Sequence, residues 1–419
     1  MGIRGLKWLY PGMKVKRWVA LCALGLIMVG AGSVKALARE GLWMTSVGVA
    51  MWLGGVVLVI TGMKKMVKSL ITVFIPQRET DLVEIVYRQR QLERGPKLVV
   101  IGGGTGLSVL LHGLKEYTSH LSAIVTVADD GGSSGRLRED FDMPAPGDIR
   151  NCLVALADAE PLMRQLFQYR FEESSTLKGH SFGNLFITAM TQITGDFEAA
   201  VRESSKVLAI RGRVIPSTCA PVRLVAQHAD GSLTRGESRI GTTPVPIQRI
   251  LLDPPNCEPT REALETLRQA DAIVLGPGSL YTSIIPNLVV PGVAEIMQRS
   301  KALTIYVCNV MTQFRETDAY TAADHVQAIL NHTQPNFLDL CIVNTAKVPD
   351  SLLVKYRGES AFPVTVDSDR IRTMGCTVIE EPVINTDDYV RHDPNRLSKL
   401  IVELIEEGYQ RTAPPRGGF

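Results

Sequence analysis

The chain predicts an α/β fold, a mostly parallel, Rossmann-like three-layer sheet, and three features of the sequence predict it. Short β-branched runs recur, each is closed by glycine, and each is followed by an amphipathic stretch. The first run, Lys97 to Ile101, leads into Gly102-Gly103-Gly104-Thr105-Gly106 and then a helix expected over Leu107 to Tyr117. The second, Leu121 to Ala128, leads into Asp129-Asp130-Gly131-Gly132-Ser133-Ser134-Gly135. In such folds ligands bind beyond the carboxyl ends of the strands. Glycines let the backbone approach an oxygen-rich ligand, and the helix start that follows attracts negative charge. The pattern points to a nucleotide or another phosphorylated small molecule, with both loops lining one pocket.

A different solvent is written into the N-terminus. Trp18 to Val34 is almost wholly apolar and Gly41 to Met63 is uncharged, each suited to crossing a hydrocarbon core as a helix. Only Lys35 to Glu40 separates them, so residues 1–63 read as a transmembrane hairpin. Arg4, Lys7, Lys14, Lys16 and Arg17 precede it and Lys64, Lys65 and Lys68 follow it, which places both ends, and the globular part, on the cytoplasmic side of the membrane. The alternative, a signal peptide cleaved near Ala36 to Ala38, is opposed by the lysines after Met63 and by the free thiols. Residues 64–95 then read as an interfacial helix ending at Pro76 and a charged helical stalk that closes at Gly95-Pro96.

Residues 96–410 read as one domain. Val222 to Ala229 and Ser232 to Arg239 flank Asp230-Gly231 as a hairpin. Ile247 to Leu252, Ala272 to Leu275, Leu303 to Asn309 and Leu338 to Asn344 read as further strands, with helices over Pro259 to Ala270 and Tyr320 to Asn331. Leu397, Leu400, Ile401, Leu404 and Ile405 put one apolar face on a final helix, Asn395 to Glu407, and residues 411–419 read as a tail.

Several residues then stand out as site candidates. Ser133 and Ser134 can bond phosphate oxygens, and Arg136 can supply a fork, with Arg138 either a second fork or a surface charge. Asp129, Asp130 and Asp148 can bring a magnesium ion to a diphosphate, or one aspartate can hold sugar hydroxyls while Asp148 caps the helix starting near Ile149. His180 and Asn184, four apart, can face a base or acyl group from one helix face, His180 being either a buried satisfied group or, with Asp148, a candidate acid or base. Gly276-Pro277-Gly278-Ser279 repeats the strand, glycine loop, helix-start design as a second phosphate or sugar clamp. Arg391-His392-Asp393, before the last helix, either closes over the ligand or caps that helix through Asp393.

The ordered set Gly102 to Gly106, Asp129 to Arg138, Pro146 to Leu153, His180 to Leu185 and Gly276 to Ser283 resembles the bacterial gluconeogenesis factor family, also called YvcK-like, which is related to the 2-phospho-L-lactate transferase CofD. The resemblance covers about Pro96 to Gln410 and adds Asn151, Asn309, Gln313 and Arg391 to the ligand contacts. It implies binding of a nucleotide-sugar, UDP-N-acetylglucosamine, support of cell shape and of growth on gluconeogenic carbon, a homo-oligomer, and regulatory protein partners of the cell envelope. Its alternative is a transferase that uses a nucleoside diphosphate donor. The pattern departs at Phe314-Arg315, where the family has proline and glycine before Glu-Thr, and in the hairpin, which most described members lack.

Composition narrows the field. A net charge of +2 without a basic aromatic stripe gives no support to nucleic acid as a partner, and none is expected. The seven scattered cysteines form no C-x-x-C pair and read as reduced core thiols. Leu107, where a dinucleotide fingerprint has glycine, speaks against a nicotinamide oxidoreductase, and no activated nucleophile is evident.

Overall fold

The computed structural model describes residues 16–37, 41–74, 82–158, 161–172, 176–386 and 389–408. Arg4, Lys7 and Lys14, the link residues Arg39 and Glu40, Pro76 and the tail 411–419 lie outside them. The chain divides into two compact units, Met1–Arg90 and Gln91–Phe419.

The first unit is built on α1 (Lys16–Leu37) and α2 (Leu42–Phe74). Lys16–Leu37 and Trp43–Val67 are each long and apolar enough to cross a membrane. The expected interfacial helix is not separate, because α2 continues unbroken through Lys64 to Phe74. Glycines form the seam between the helices: a Cβ on Gly25 would lie 2.8 Å from the Gly55 carbonyl oxygen, and one on Gly32 would lie 2.6 Å from Trp52 N. Small residues at such contacts let two helix backbones meet closely. Lys65 Nζ lies 4.8 Å from the Trp18 ring centre, which places the basic flanks of both helices at one end.

The second unit follows a short helix, α3 (Leu82–Leu92), whose range crosses the boundary. It opens with β1 (Leu98–Gly102), α4 (Gly104–Leu114) and β2 (Leu121–Val125), then five helices, α5 (Gly132–Phe141), α6 (Gly147–Leu156), α7 (Pro161–Gln168), α8 (Phe182–Thr194) and α9 (Phe197–Val207), before β3 (Arg213–Pro216). An insert follows, β4 (Arg223–His228), β5 (Leu233–Arg235), α10 (Glu237–Ile240) and β6 (Ile247–Asp253). The chain returns through α11 (Arg261–Gln269) to β7 (Ala272–Leu275), a wide-turn helix Leu280–Ile284, α12 (Ile285–Leu288), α13 (Val293–Arg299) and β8 (Leu303–Val307). It ends with α14 (Ala322–His332), β9 (Leu340–Asn344), α15 (Asp350–Gly358), α16 (Ser368–Thr373), β10 (Thr377–Glu381), β11 (Ile384–Asn385), β12 (Arg391–His392) and α17 (Pro394–Glu406).

Seven strands form the main sheet in the order β10-β9-β8-β7-β1-β2-β3, and every pairing in it is parallel. Leu, Val and Ile predominate in β1, β2 and β8, all buried along their whole length, as a sheet covered on both faces requires. From β1 the chain winds outward through β2 to β3, then returns to β7 on the opposite flank and winds outward again. The order reverses between β1 and β7, and such a switch point leaves a crevice beyond the strand ends.

Ile247 to Leu252 does not join this sheet. It pairs antiparallel with β4 in a separate three-stranded sheet, β5-β4-β6, whose alternating exposure marks one solvated face. The final helix docks as its spacing requires: Leu397, Ile401 and Leu404 are buried, and Gly113 of α4 leaves room for Ser398 and Pro394. All seven cysteines are free.

A small apolar cluster stands apart from the main core. Val348, Ile384 and Val390 form it, with Val310, Leu352 and Tyr356 packed on them, and none of the residues of α15 is fully buried.

Candidate functional site

The crevice is shaped by two loops that touch. Helix α4 begins at Gly104, earlier than Leu107, because the glycines themselves make its first turn; Gly104 adopts φ +67°, which side-chain-bearing residues resist. A Cβ on Gly106 would lie 2.7 Å from the Pro277 carbonyl oxygen, so the loop after β1 abuts the loop after β7 only because Gly106 has none. Asn287 Nδ2 ties the two together, donating to the Gly102 and Ser283 carbonyls at 3.1 and 2.7 Å.

Over these loops lies a cavity of about 490 Å³. It gathers Gly103, Gly104, Thr105, Gly106, Gly278, Ser279, Asn309, Gln313 and Arg391 from the residues expected at the site. Gly102 ends β1 beneath it and Gly276 opens the second loop, at φ +80°. Ser279 Oγ donates to Glu316 Oε2 at 2.5 Å, and Thr282 Oγ1 donates to Ser279 Oγ at 2.8 Å. Burial pushes the Glu316 carboxyl up, against the opposing pull of the Ser279 bond. Burial drives His392 down to about 4 although its bond to the Cys308 carbonyl works the other way, so the ring is neutral at pH 7. His392 Nε2 and Gln313 Oε1 are both buried without a hydrogen-bond partner.

Carboxylates crowd the β2 flank. Burial first, then the charges of Asp129, Asp148, Asp130 and Glu316, push Glu237 up to about 9. Asp148 is raised to about 6 by burial and by Asp129, opposed by bonds from the Gly104 N–H and the Asn151 side chain and by Arg150. Asp129 Oδ1 accepts the Gly131 N–H at 2.8 Å, and Asp130 Oδ1 accepts the Ser238 N–H at 2.8 Å, holding the start of α10. Among the described residues no three His, Cys, Asp or Glu side chains converge as a metal centre.

The loop after β2 closes on its own network, outside that cavity. Ser133 Oγ lies 3.1 Å from His180 Nδ1, and Asn184 Nδ2 donates to Ser133 Oγ at 3.2 Å and Ser134 Oγ at 3.4 Å. Gly135 packs against the Asp130 backbone and Gly132 takes φ +48°. Arg136 Nη2 donates to the Lys178 carbonyl at 2.7 Å. Asn151 lines a shallow groove along α4, which meets the main cavity at Thr105 and Val109.

Four expectations change. His180 precedes α8, whose cap is Ser181, so it does not share a helix face with Asn184, although both reach Ser133. Asp148 does not cap its own helix; Pro146 holds that position and Asp148 instead accepts an N–H from the first turn of α4. Arg138 is neither a fork nor a surface charge but is 4% exposed, donating to the Val222 carbonyl. The strand expected up to Arg239 stops at Arg235, and the chain turns at Gly236, φ +98°, to bring Glu237 to the cavity. Asp393 is a helix cap, accepting from Asn395 N and Arg396 N. Arg315 stands at φ +63°, a backbone state that suits the glycine of the family pattern.

Glu237, Glu316, Tyr356 and His392 line the cavity without having been singled out as ligand contacts. Glu316 and His392 sat inside noted motifs. Glu237 and Tyr356 arrive from an insert and a surface helix whose sequences carry no mark of a site.

Known proteins share this architecture. Residues 98–384 match the family model described as 2-phospho-L-lactate transferase CofD. The protein named gluconeogenesis factor from Bacillus subtilis is 50% identical over 313 residues, 74% of this chain and 99% of its own. Its namesake from Halalkalibacterium halodurans is 50% identical over 307 residues, 73% of this chain and 95% of its own. A Nostoc protein bearing the name in provisional form is 43% identical over 418 residues, 95% of this chain and 92% of its own, a span that takes in the N-terminal helices. A crystal structure of a Bacillus halodurans protein superposes with a TM-score of 0.72 at 49% identity, covering 74% of this chain and all of the other. With the β1–β7 crevice, the glycine loops and this identity together, the chain belongs to the CofD family, among its gluconeogenesis factors.

Proposed function

We propose that the β1–β7 crevice binds a nucleotide-sugar, UDP-N-acetylglucosamine, and that its occupancy regulates cell shape and growth on gluconeogenic carbon from the cytoplasmic face of the membrane. The abutting glycine loops carry this reading, since they bring the start of α4 to a cavity of about 490 Å³, within the usual range for small-molecule sites. Charge is consistent with it. Arg391 faces the cavity, and Glu237, raised to about 9, is protonated at pH 7 and does not repel a diphosphate. A magnesium ion carried in with the ligand fits beside Asp129 and Asp148, whose mutual repulsion a cation relieves, whereas Asp130 is engaged by α10.

Calorimetric titration of the purified chain with UDP-N-acetylglucosamine tests the reading, with saturable binding expected. No heat with any nucleotide-sugar from a folded sample would discard it. The second reading, a transferase using a nucleoside diphosphate donor, is supported by the family match and by cleft carboxyls at about 6 and about 9, which can hold or pass the proton of an acceptor hydroxyl. Product formation in a donor and acceptor assay distinguishes it from ligand sensing.

A further inference from the structure

Lys16 and Arg17 on α1 and Lys64 and Lys65 on α2 stand at one end of the hairpin, and all four are exposed. Lys68 follows one turn further along α2. From residue 16 to residue 74 the sequence has a single acidic residue, Glu40, which belongs to the link between the helices. Among the described residues none of the four cations has a carboxylate partner.

Two of them are arranged around one ring. Arg17 Cζ lies 4.7 Å and Lys65 Nζ 4.8 Å from the centre of the half-buried Trp18 indole, so each helix sends one positive group to it. The two groups are at most the sum of those distances apart. Attraction to the ring holds both in place without neutralising either. The ring's own position is set by the glycine seam: a Cβ on Gly62 would lie 3.2 Å from the Trp18 carbonyl oxygen and 2.5 Å from Cys22 Sγ, so α2 meets the first turns of α1 closely. Like charges held this near each other raise the local potential and favour an anion beside them.

Depth narrows the anion. Val19 and Met63, one residue inward of Trp18 and Lys64 along their helices, are apolar and exposed. Tryptophan next to arginine and lysine at the edge of an apolar helix belongs at headgroup level. A phosphodiester at that depth meets the planar fork of Arg17 and the point charge of Lys65, while its acyl chains run along Val19 and Met63. Free phosphate has no chains to lay there, and a zwitterionic headgroup brings its own cation against Arg17 and Lys65.

We propose that Arg17, Trp18 and Lys65 form a binding site for the phosphate of an anionic phospholipid, which couples the depth and rotation of the hairpin to the lipid composition of the leaflet. The site rests on α1 and α2 spanning the membrane and is independent of what the crevice binds. Native mass spectrometry of the full-length protein in detergent, with phosphatidylglycerol or phosphatidylcholine of matched chains, tests it. Wild type is expected to hold phosphatidylglycerol about ten-fold or more tightly than phosphatidylcholine. Arg17→Gln combined with Lys65→Gln should bring the two lipids within about two-fold, and Lys35→Gln, in the last turn of α1, should leave the preference as it was. A wild-type helix melt certifies the double variant, and Lys65→Gln alone, with an intermediate loss, replaces it where the melt is altered. Equal binding of both lipids by wild type, or a preference that survives the substitutions, overturns the site. Displacement of the lipid by inorganic phosphate assigns the cluster to a free anion and also overturns it. Release of the chain from membranes by alkaline carbonate overturns the spanning hairpin as well, whereas an inserted chain without lipid preference overturns this site alone.

Discussion

Asp148 presses on Gly103: a Cβ at residue 103 would overlap Oδ2 of that carboxylate and lie 2.7 Å from Thr126 Cγ2. The same carboxylate accepts the Gly104 N–H. Packing against a neighbouring side chain is by itself enough to call for glycine at 103. Gly103→Ala is expected to cost about 1 to 3 kcal/mol through overpacking. Urea unfolding without ligand measures it, and an unchanged midpoint would show that Asp148 is not held there.

Glu237 makes stability fall as pH rises. Its carboxyl releases its proton near 4.5 when unfolded and near 9 when folded, so the fold binds the extra proton between those values. Stability from this group is full below 4.5 and is lost as pH climbs through 9. Asp148 adds a smaller decline that ends near pH 6. Glu237→Gln keeps the shape without titrating; unfolding across about pH 5 to 9 should show the variant gaining on wild type toward the alkaline end. Parallel profiles would remove Glu237 from the account.

Arginine roles separate by position. Arg391 faces the cavity and is exposed, so Arg391→Ala should lower nucleotide-sugar affinity roughly ten- to a hundred-fold with little change in thermal midpoint. Arg136 serves the Lys178 carbonyl, and its removal should loosen that loop with a smaller effect on affinity. Arg138→Ala strips a buried bond and should lower the midpoint. If Arg136→Ala weakened binding more than Arg391→Ala, the diphosphate would lie over the β2 loop instead.

The hairpin offers two checks. A reporter fused after Gly95 should be active only in the cytoplasm, given Lys16, Arg17, Lys64 and Lys65 at one end. Gly32→Leu should part the helices at the seam, because no side chain fits against Trp52 there, and cysteine pairs placed across the seam should then cross-link less.

Five strands of the main sheet were legible because each couples an apolar run to a glycine or a polar break, as β1 and β7 do, whereas the edge strands β3 (Arg213–Pro216) and β10 (Thr377–Glu381) hold only two consecutive apolar residues beside arginine, proline or glutamate and were missed. The boundary of α4 was misplaced because glycine usually weakens a helix, whereas here the close packing of Gly106 on Pro277 sets where it starts. Glu237 and Tyr356 were invisible for another reason: their roles depend on a sheet insert and a surface helix folding back over the crevice, and no local periodicity encodes that return. Gly132 is expected to admit a phosphate, and a Cβ there meets nothing within 4 Å, while φ +48° independently favours glycine. A bulky replacement at 132 therefore adds backbone strain to any block on ligand approach.

The separate apolar cluster of Val348, Ile384 and Val390 has a kinetic meaning. Tyr356 and Val390 belong both to that cluster and to the wall of the crevice, while the main core lies elsewhere. A segment held by its own few contacts opens at a free energy below that of global unfolding. Weakening Val348 should therefore speed the entry and departure of whatever occupies the crevice and leave the melting of the sheet where it was, so that residence time and thermal stability are set by different residues.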